Sequence, residues 1–175
     1  MSKILFAEHD GSHVLKFIGD IRFNLAPTLT GFVQQIGSRG EKAIVLDLTE
    51  TTCMDSTSLG LLAKISLACQ SILNVQPTLV TTNPDITRVV RSMGFEQIFI
   101  IIDYVIHACD GALELPTHVM SEELLREQVL DAHRTLMDLN EHNEACFCDL
   151  VDALEAESNP LITDSANSTQ VRAVG

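Results

Sequence analysis

The spacing of apolar residues in residues 1–112 switches between the two-residue period of a strand and the longer period of a helix. Two alternating stretches flank Asp10-Gly11, a dipeptide that favours a tight turn, and together they predict a β-hairpin. An almost unbroken apolar run predicts a central strand that is buried on both faces. The predicted strands are 3–9, 12–18, 43–48, 78–82 and 97–102.

Helices are predicted between these strands. Pro27 suits a first helical turn, and Asn83-Pro84 is typical of a cap followed by a helix that ends at Gly94. The predicted helices are 24–36, 57–73 and 83–94, with a short one at 105–109. Because strands alternate with helices after an initial hairpin, we predict an α/β fold with a mixed, mostly parallel sheet packed with helices.

A second helical pattern follows the α/β part and predicts a C-terminal helical extension. A mostly apolar seam has alternating spacings of four and three, with one polar member, Asn143; its residues are Leu125, Val129, Ala132, Leu136, Leu139, Asn143, Cys146 and Leu150. The extension is either one helix of about 55 Å or a helical hairpin that bends at 140–143. A seam this apolar is expected to pack on its own domain, on a second copy as a homodimer, or on a partner.

The predicted organisation therefore has four parts. Residues 1–112 form the α/β domain and 113–120 a linker. Residues 121–157 form the helical extension, and 158–175, which are small and polar, form a disordered tail.

Charge is concentrated in the extension and argues against nucleic acid as a partner. The 175-residue chain has a formal net charge of −13. Residues 1–112 hold 8 Lys and Arg against 11 Asp and Glu, whereas 113–175 hold 3 against 13. A chain this acidic is repelled by phosphate backbones.

The sequence shows neither a signal peptide nor a membrane-spanning segment. The first residues lack the apolar core of a signal peptide, and no apolar run approaches the ~18 residues of a membrane span. We therefore expect a cytoplasmic protein. Its five cysteines are then expected to be reduced thiols.

The candidate chemistry lies at 54–60, Met-Asp-Ser-Thr-Ser-Leu-Gly, between the buried strand and the next helix. The first backbone N–H groups of a helix have no partner within it. A hydroxyl or carboxylate there can cap the helix, and a phosphoryl group there would be stabilised by the helix dipole. Both interpretations, a cap and a modification site, fit these residue types.

This segment resembles the signature of the STAS domain of bacterial anti-sigma factor antagonists, a hydrophobic strand followed by Asp-Ser-(Ser/Thr)-Gly-Leu-Gly. The resemblance covers about 1–112, since 19–21 and the segment from 83–84 to 98–99 also fit the family. Two residues depart from the pattern. Ser58 stands where Gly is usual, and Arg22 stands where many members carry Asp.

The resemblance implies that Ser56, directly after Asp55, is phosphorylated by a partner kinase. Thr57 and Ser58 are alternative acceptors. Asp55 either orients the Ser56 hydroxyl or simply caps the helix, and Arg22 either pairs with phosphoserine or stays solvated. The predicted partner-binding residues are Asp55, Thr57, Leu59, Gly60, Lys64 and Arg22.

Two further segments narrow the resemblance. Residues 130–141, Leu-Asp-Ala-His-Arg-Thr-Leu-Met-Asp-Leu-Asn-Glu, and 19–23, Gly-Asp-Ile-Arg-Phe, resemble the antagonist of the histidine-phosphotransfer-dependent secretion and biofilm pathway. In that subgroup Arg22 is a common trait.

The implied function is that of a switch without catalytic activity or cofactor. Dephosphorylated, the protein would bind an anti-sigma factor and so free a sigma factor. A serine kinase, which is the anti-sigma factor or a linked response regulator, would end that binding, and a phosphatase would restore it. The alternative is a STAS regulatory subunit of a membrane transporter or lipid-trafficking complex.

Other constellations are weaker. An enzyme on this scaffold would need a carboxylate cluster or a phosphate-binding loop, which the sequence lacks. Asp20 and Asp47 have no third carboxylate at a readable spacing to complete a Mg²⁺ site. His142 and Cys146 share a helix face, but Cys148 points elsewhere, so packing cysteines are favoured over zinc ligands. No metal site is therefore predicted.

Overall fold

The computed structural model describes residues 2–38, 40–104, 111–117 and 119–158, with His9 and Ser158 described by their backbone alone. The predicted helix at 105–109 lies outside these residues. So does the predicted tail, apart from Ser158.

A mixed sheet forms the centre of the fold, and the predicted α/β class is confirmed. The strands are β1 (Lys3–His9), β2 (Ser12–Ile21), β3 (Ala43–Met54), β4 (Thr78–Val80), β5 (Ile100–Ile102) and β6 (Leu113–Glu114). Within the described residues they pair in the order β5-β4-β3-β2-β1-β6. The pairings among β2, β3, β4 and β5 are parallel, whereas β1 is antiparallel to both β2 and β6.

The hairpin predicted at the start of the chain is present. Asp10 and Gly11 both have positive φ, 50° and 79°, as the tightest hairpin turns require. At the other edge of β1, β6 pairs Leu113 and Glu114 with Phe6 and Leu5. The stretch that we predicted as a linker, 113–120, thus contributes a short edge strand to the sheet.

Helices cover the sheet and contribute to one core. They are α1 (Ala26–Gln35), α2 (Ser56–Ala68), α3 (Pro84–Ser92), α4 (Glu122–Met137) and α5 (Glu141–Ser158). A 3₁₀ turn, Phe23–Leu25, precedes α1, and a π turn, Cys69–Leu73, continues α2. Ala132 and Leu136 of α4 belong to the same buried cluster as the residues of β2, β3 and α2.

The helical extension is a hairpin of α4 and α5, which is one of the two forms predicted. Asn140 makes the bend, because its side-chain oxygen accepts a hydrogen bond from the backbone N–H of Asn143 at 2.9 Å and caps α5. The predicted seam holds as far as Asn143, which is fully buried, but Cys146 and Leu150 are exposed. Within α5 the inward-facing positions recur every four residues from Asn143, so that Phe147 and Val151 face inward instead.

The seam packs on its own domain, which is one of the three outcomes expected of it. Asn143 Nδ2 donates hydrogen bonds to the carbonyl oxygens of Met93 and Leu136, at 3.0 and 2.8 Å. Asn140 Nδ2 reaches the same Met93 oxygen at 3.3 Å. These bonds tie the bend of the hairpin to the end of α3. Association of the extension with a second copy stays a prediction.

One helical stretch in the described residues, Ser56–Leu73, is long and apolar enough to match a membrane span by composition. More than half of it, 56%, is buried within the protein. This burial is what a core helix shows, since α2 packs against the sheet with Leu61, Leu62 and Ile65 almost wholly enclosed.

Candidate functional site

Asp55 joins the end of β3 to the start of α2 and acts as the helix cap. Its backbone is extended, with φ −88° and ψ 167°. One carboxylate oxygen accepts a hydrogen bond from the N–H of Ser58 at 2.8 Å, and the other accepts from the N–H of Phe23 at 2.7 Å. The same carboxylate therefore fixes the first turn of α2 and the 3₁₀ turn before α1.

Ser56 is the first residue of α2, and its hydroxyl contacts a histidine of the extension. The Ser56 Oγ lies 2.7 Å from His133 Nε2. The other ring nitrogen, Nδ1, lies 2.7 Å from the carbonyl oxygen of Val129. Because a carbonyl can only accept, Nδ1 carries the hydrogen, and in the neutral ring Nε2 is then the acceptor. The Ser56 hydroxyl therefore donates to His133.

His133 is held in place from several sides. Its side chain is buried, and the ring of Phe147 on α5 meets it edge to face with ring centroids 5.3 Å apart. With the Val129 carbonyl fixing its second nitrogen, the imidazole has little freedom to turn away from Ser56. Both helices of the hairpin thus position the group that binds the Ser56 hydroxyl.

Farther along α2, the predicted docking residues lie under α4. Leu59 is buried in the core, and a Cβ added at Gly60 would overlap the carbonyl oxygen of Ala132. The ammonium of Lys64 forms an ion pair with the carboxylate of Asp131. The extension therefore covers the face of α2 that carries Ser56, Gly60 and Lys64, along about two helical turns.

The two alternative acceptors are less accessible than Ser56. Thr57 is buried and Ser58 is fully buried, whereas Ser56 is partly exposed. The Ser58 hydroxyl has no hydrogen-bond partner among the described residues. The residue that departs from the family's glycine is thus accommodated in the core at the cost of an unpaired polar group.

Arg22 lies at the same end of the sheet and pairs with Asp20. The two charged groups are 3.4 Å apart, and both are exposed. The hydroxyl of Thr52 donates to Asp20 at 2.6 Å, and this bond, together with that from Arg22, holds the pKa of Asp20 below its usual range. Pairing of Arg22 with phosphoserine stays a prediction.

Asp47, the other acid considered for a metal, is satisfied by protein groups. It accepts hydrogen bonds from the backbone N–H and the hydroxyl of Thr49, at 2.9 and 2.6 Å, and lies 3.7 Å from the ammonium of Lys16. A hydrogen bond to Glu50 and the charge of Asp47 raise the pKa of Lys16. In the part of the chain that the structure describes, no three metal-binding side chains come together.

The cysteines of the described residues form no cluster. Cys146 Sγ lies 3.7 Å from His142 Nε2 at the surface, and Cys148 bonds to the carbonyl of Ala145 on another face of α5. Cys69 is buried, and burial raises the pKa of its thiol to about 12. That thiol stays protonated at neutral pH and behaves as a packing group.

His133, which contacts the Ser56 hydroxyl, is the residue of this site that sequence reasoning did not single out. It lies 77 positions from Ser56, and neither local spacing nor charge connects the two residues. The sequence offered one indication: His133 follows Ala132, a seam residue, and so lies next to the face of the helix that packs against another element.

A prediction about stability tests the double role of Asp55. Asp55→Ala removes the helix cap and the acceptor for Phe23, and we expect the free energy of unfolding to fall by about 1–3 kcal/mol. Asp55→Asn keeps one acceptor oxygen and is expected to lose less. Urea denaturation followed by circular dichroism measures both, and an unchanged midpoint for Asp55→Ala would contradict the cap.

Comparisons with known proteins agree with the fold. Residues 3–108 match the family of the STAS domain. The crystal structure of an anti-sigma factor antagonist from Mycobacterium paratuberculosis is similar, with 22% sequence identity and a TM-score of 0.51, covering 60% of this chain and 88% of that one. A structure of a candidate anti-sigma factor antagonist from Thermotoga maritima shares 23% identity, also with a TM-score of 0.51, over 57% of this chain and 86% of that one.

These structural similarities show a common fold. No curated protein sequence matches this chain significantly. The hairpin of α4 and α5 lies beyond the residues that the STAS family matches.

Proposed function

Because the chain belongs to the STAS domain family, we propose that it is an anti-sigma factor antagonist switched by phosphorylation of Ser56. Dephosphorylated, it sequesters an anti-sigma factor and frees a sigma factor. Phosphorylated, it releases the anti-sigma factor. The proposal assigns no catalysis and no cofactor to this chain, and it places the protein in the cytoplasm, where sigma factors act.

The observation that carries the proposal is the position of Ser56. It follows the capping Asp55 as the first residue of α2, and of the three hydroxyls in the motif it is the one with a partly exposed side chain. A phosphoryl group at a helix N-terminus is stabilised by the dipole and by nearby N–H groups. The fold can therefore carry the modification without rearrangement of the sheet.

The effect of the phosphate falls on the surface around it. Phosphorylation adds about −1.5 to −2 charges at neutral pH. The proposed docking residues Gly60 and Lys64, which α4 covers in this structure, lie on the same helix as Ser56, and Leu59 lies in the core beside them. An added dianion beside this surface opposes a partner that presents acidic or apolar groups.

The cycle needs partners that this chain does not contain. The motif around Ser56 has no nucleotide-binding site. A separate serine kinase therefore supplies ATP, Mg²⁺ and the catalytic base. The kinase is the anti-sigma factor or a linked response regulator, and a phosphatase reverses its action. Resemblance at 19–23 and 130–141 supports the finer assignment to the secretion and biofilm antagonists.

The test is to locate the phosphate and to fix the switch in each state. Protein from cells without the phosphatase should carry phosphate on Ser56 by phosphopeptide mass spectrometry. Ser56→Ala is expected to bind the anti-sigma factor constitutively, and Ser56→Asp to lose that binding while keeping its fold.

The control is Thr57→Ala, which removes a buried hydroxyl of the same motif and should still be phosphorylated on Ser56. Phosphate found mainly on Thr57 or Ser58 would overturn the assignment of the acceptor. If Ser56→Ala and Ser56→Asp both bind like the wild type, the switch itself is wrong.

A further inference from the structure

The interface between α2 and α4 has the features of a helix-docking site that is already filled. Gly60 and Ala132 meet where the two helices cross, and no larger residue fits at position 60 because it would strike the backbone of α4. Small residues at a crossing let two helix backbones approach closely. The surface of α2 at Gly60 therefore accepts a helix that presents a small residue.

Charge and hydrogen bonding add direction to this fit. Asp131 precedes Ala132 on α4 and places its carboxylate on Lys64. His133 follows and accepts the Ser56 hydroxyl at 2.7 Å. Three consecutive residues of α4 thus contact Lys64, Gly60 and Ser56 of α2. These contacts fix both the register and the orientation of the docked helix.

The same contacts conflict with phosphorylation of Ser56. A hydrogen-bond distance between Ser56 Oγ and His133 Nε2 leaves no space for a phosphorus atom and its oxygens between them. In the packed position of α4 the Ser56 hydroxyl is thus engaged by His133, and transfer of a phosphoryl group to Ser56 requires that hydrogen bond to break.

We propose that α4 is an intramolecular occupant of the partner site on α2, and that the hairpin has to leave before a partner helix or a kinase can reach Ser56, Gly60 and Lys64. The external occupant is a helix that sets a small residue over Gly60 and a carboxylate beside Lys64. The identity of that occupant as an anti-sigma factor rests on the proposed function, whereas the competition itself does not.

Competition of this kind has a measurable consequence. The apparent affinity of any external helix is reduced by the fraction of molecules in which the site is open. A substitution that opens the hairpin without changing α2 raises that affinity. A substitution that opens the hairpin by altering α2 at Gly60 removes the site for internal and external helices alike.

The experiment uses four variants of the full chain and one probe. Ala132→Arg places a large charged side chain at a fully buried position of α4, and Ala145→Arg is its control at an exposed position of α5. Gly60→Ala blocks the crossing on α2, and Gly31→Ala in α1, where nothing lies within 4 Å of an added Cβ, is its control. The probe is a fluorescent synthetic peptide of residues 119–158, kept reduced.

Ala132→Arg is expected to bind the peptide at least about tenfold more tightly than the wild type, because its own hairpin no longer competes. Gly60→Ala should leave its hairpin open and yet not bind the peptide. In both variants amide hydrogen exchange across 122–137 should become at least about tenfold faster, while β3 keeps its protection. The two controls should match the wild type in both measurements.

Two results would overturn the proposal. One is that Ala132→Arg neither binds the peptide nor exchanges faster at 122–137. The other is that Gly60→Ala binds the peptide as tightly as Ala132→Arg, which would mean that α2 is not the site. No anti-sigma factor or kinase enters the experiment, so its failure is distinct from a failure of the Ser56 assignment.

Discussion

Replacing Leu136 with alanine is expected to lower the free energy of unfolding by about 2–5 kcal/mol, the usual cost of truncating a fully buried leucine. Leu136 lies on α4, outside the residues that the family matches, but its side chain is completely buried in the core shared with the sheet and α2. The large cost follows because the truncation leaves a cavity between the hairpin and the domain.

Leu150→Ala is the matched control, since it makes the same chemical change in the same hairpin. Leu150 was predicted on the same seam, but 42% of it is exposed, and we expect a loss of less than about 1 kcal/mol. Urea unfolding of both variants, followed by circular dichroism, gives the comparison. Equal losses would mean that the hairpin does not share the core of the domain.

The central elements could be predicted because their signals are local. Alternating residues around Asp10-Gly11 specify the first hairpin, and the apolar run at 43–48 specifies the central strand, which the structure extends to Met54. A cap of α2 at Asp55 was one of the two roles that the sequence left open, because Asp before a helix is a preferred cap residue. The structure assigns that role to Asp55 and adds the bond to Phe23, which is distant in the chain.

The errors in element boundaries arise where tertiary packing overrides a periodic pattern. A strand was predicted at 97–102, but the chain makes a 3₁₀ turn at Phe95–Gln97 and pairs only from Ile100. Phe95 and Phe99 both enter the core with ring centroids 5.3 Å apart, whereas in a strand two residues four positions apart would be separated by about 13 Å. Period alone could not reveal that constraint.

The candidate site could be predicted only in part for a related reason. The motif identified Ser56 and its neighbours along α2. The group that contacts the Ser56 hydroxyl comes from α4, and its arrival depends on how the hairpin packs, which heptad spacing does not specify. The sequence did not specify whether the seam packs on its own domain, on a second copy or on another protein. The structure shows that it packs on its own domain.

Asn143→Ala is expected to lower the free energy of unfolding by about 1–3 kcal/mol, because two hydrogen bonds worth about 0.5–1.5 kcal/mol each are lost. The side chain of Asn143 is fully buried and joins the carbonyls of Met93 and Leu136. It thereby connects α5 to the end of α3 and to α4. Asn143 is a polar residue on the predicted seam, which is otherwise made of apolar or small residues.

The control is Asn24→Ala, an exposed asparagine in the 3₁₀ turn before α1, for which a change within about 0.5 kcal/mol is expected. Urea denaturation measures both losses. Hydrogen exchange adds a second criterion, because loss of the Asn143 bonds should speed exchange in α5 before it affects β3. If Asn143→Ala is as stable as Asn24→Ala, the bonds to Met93 and Leu136 do not hold the hairpin to the domain.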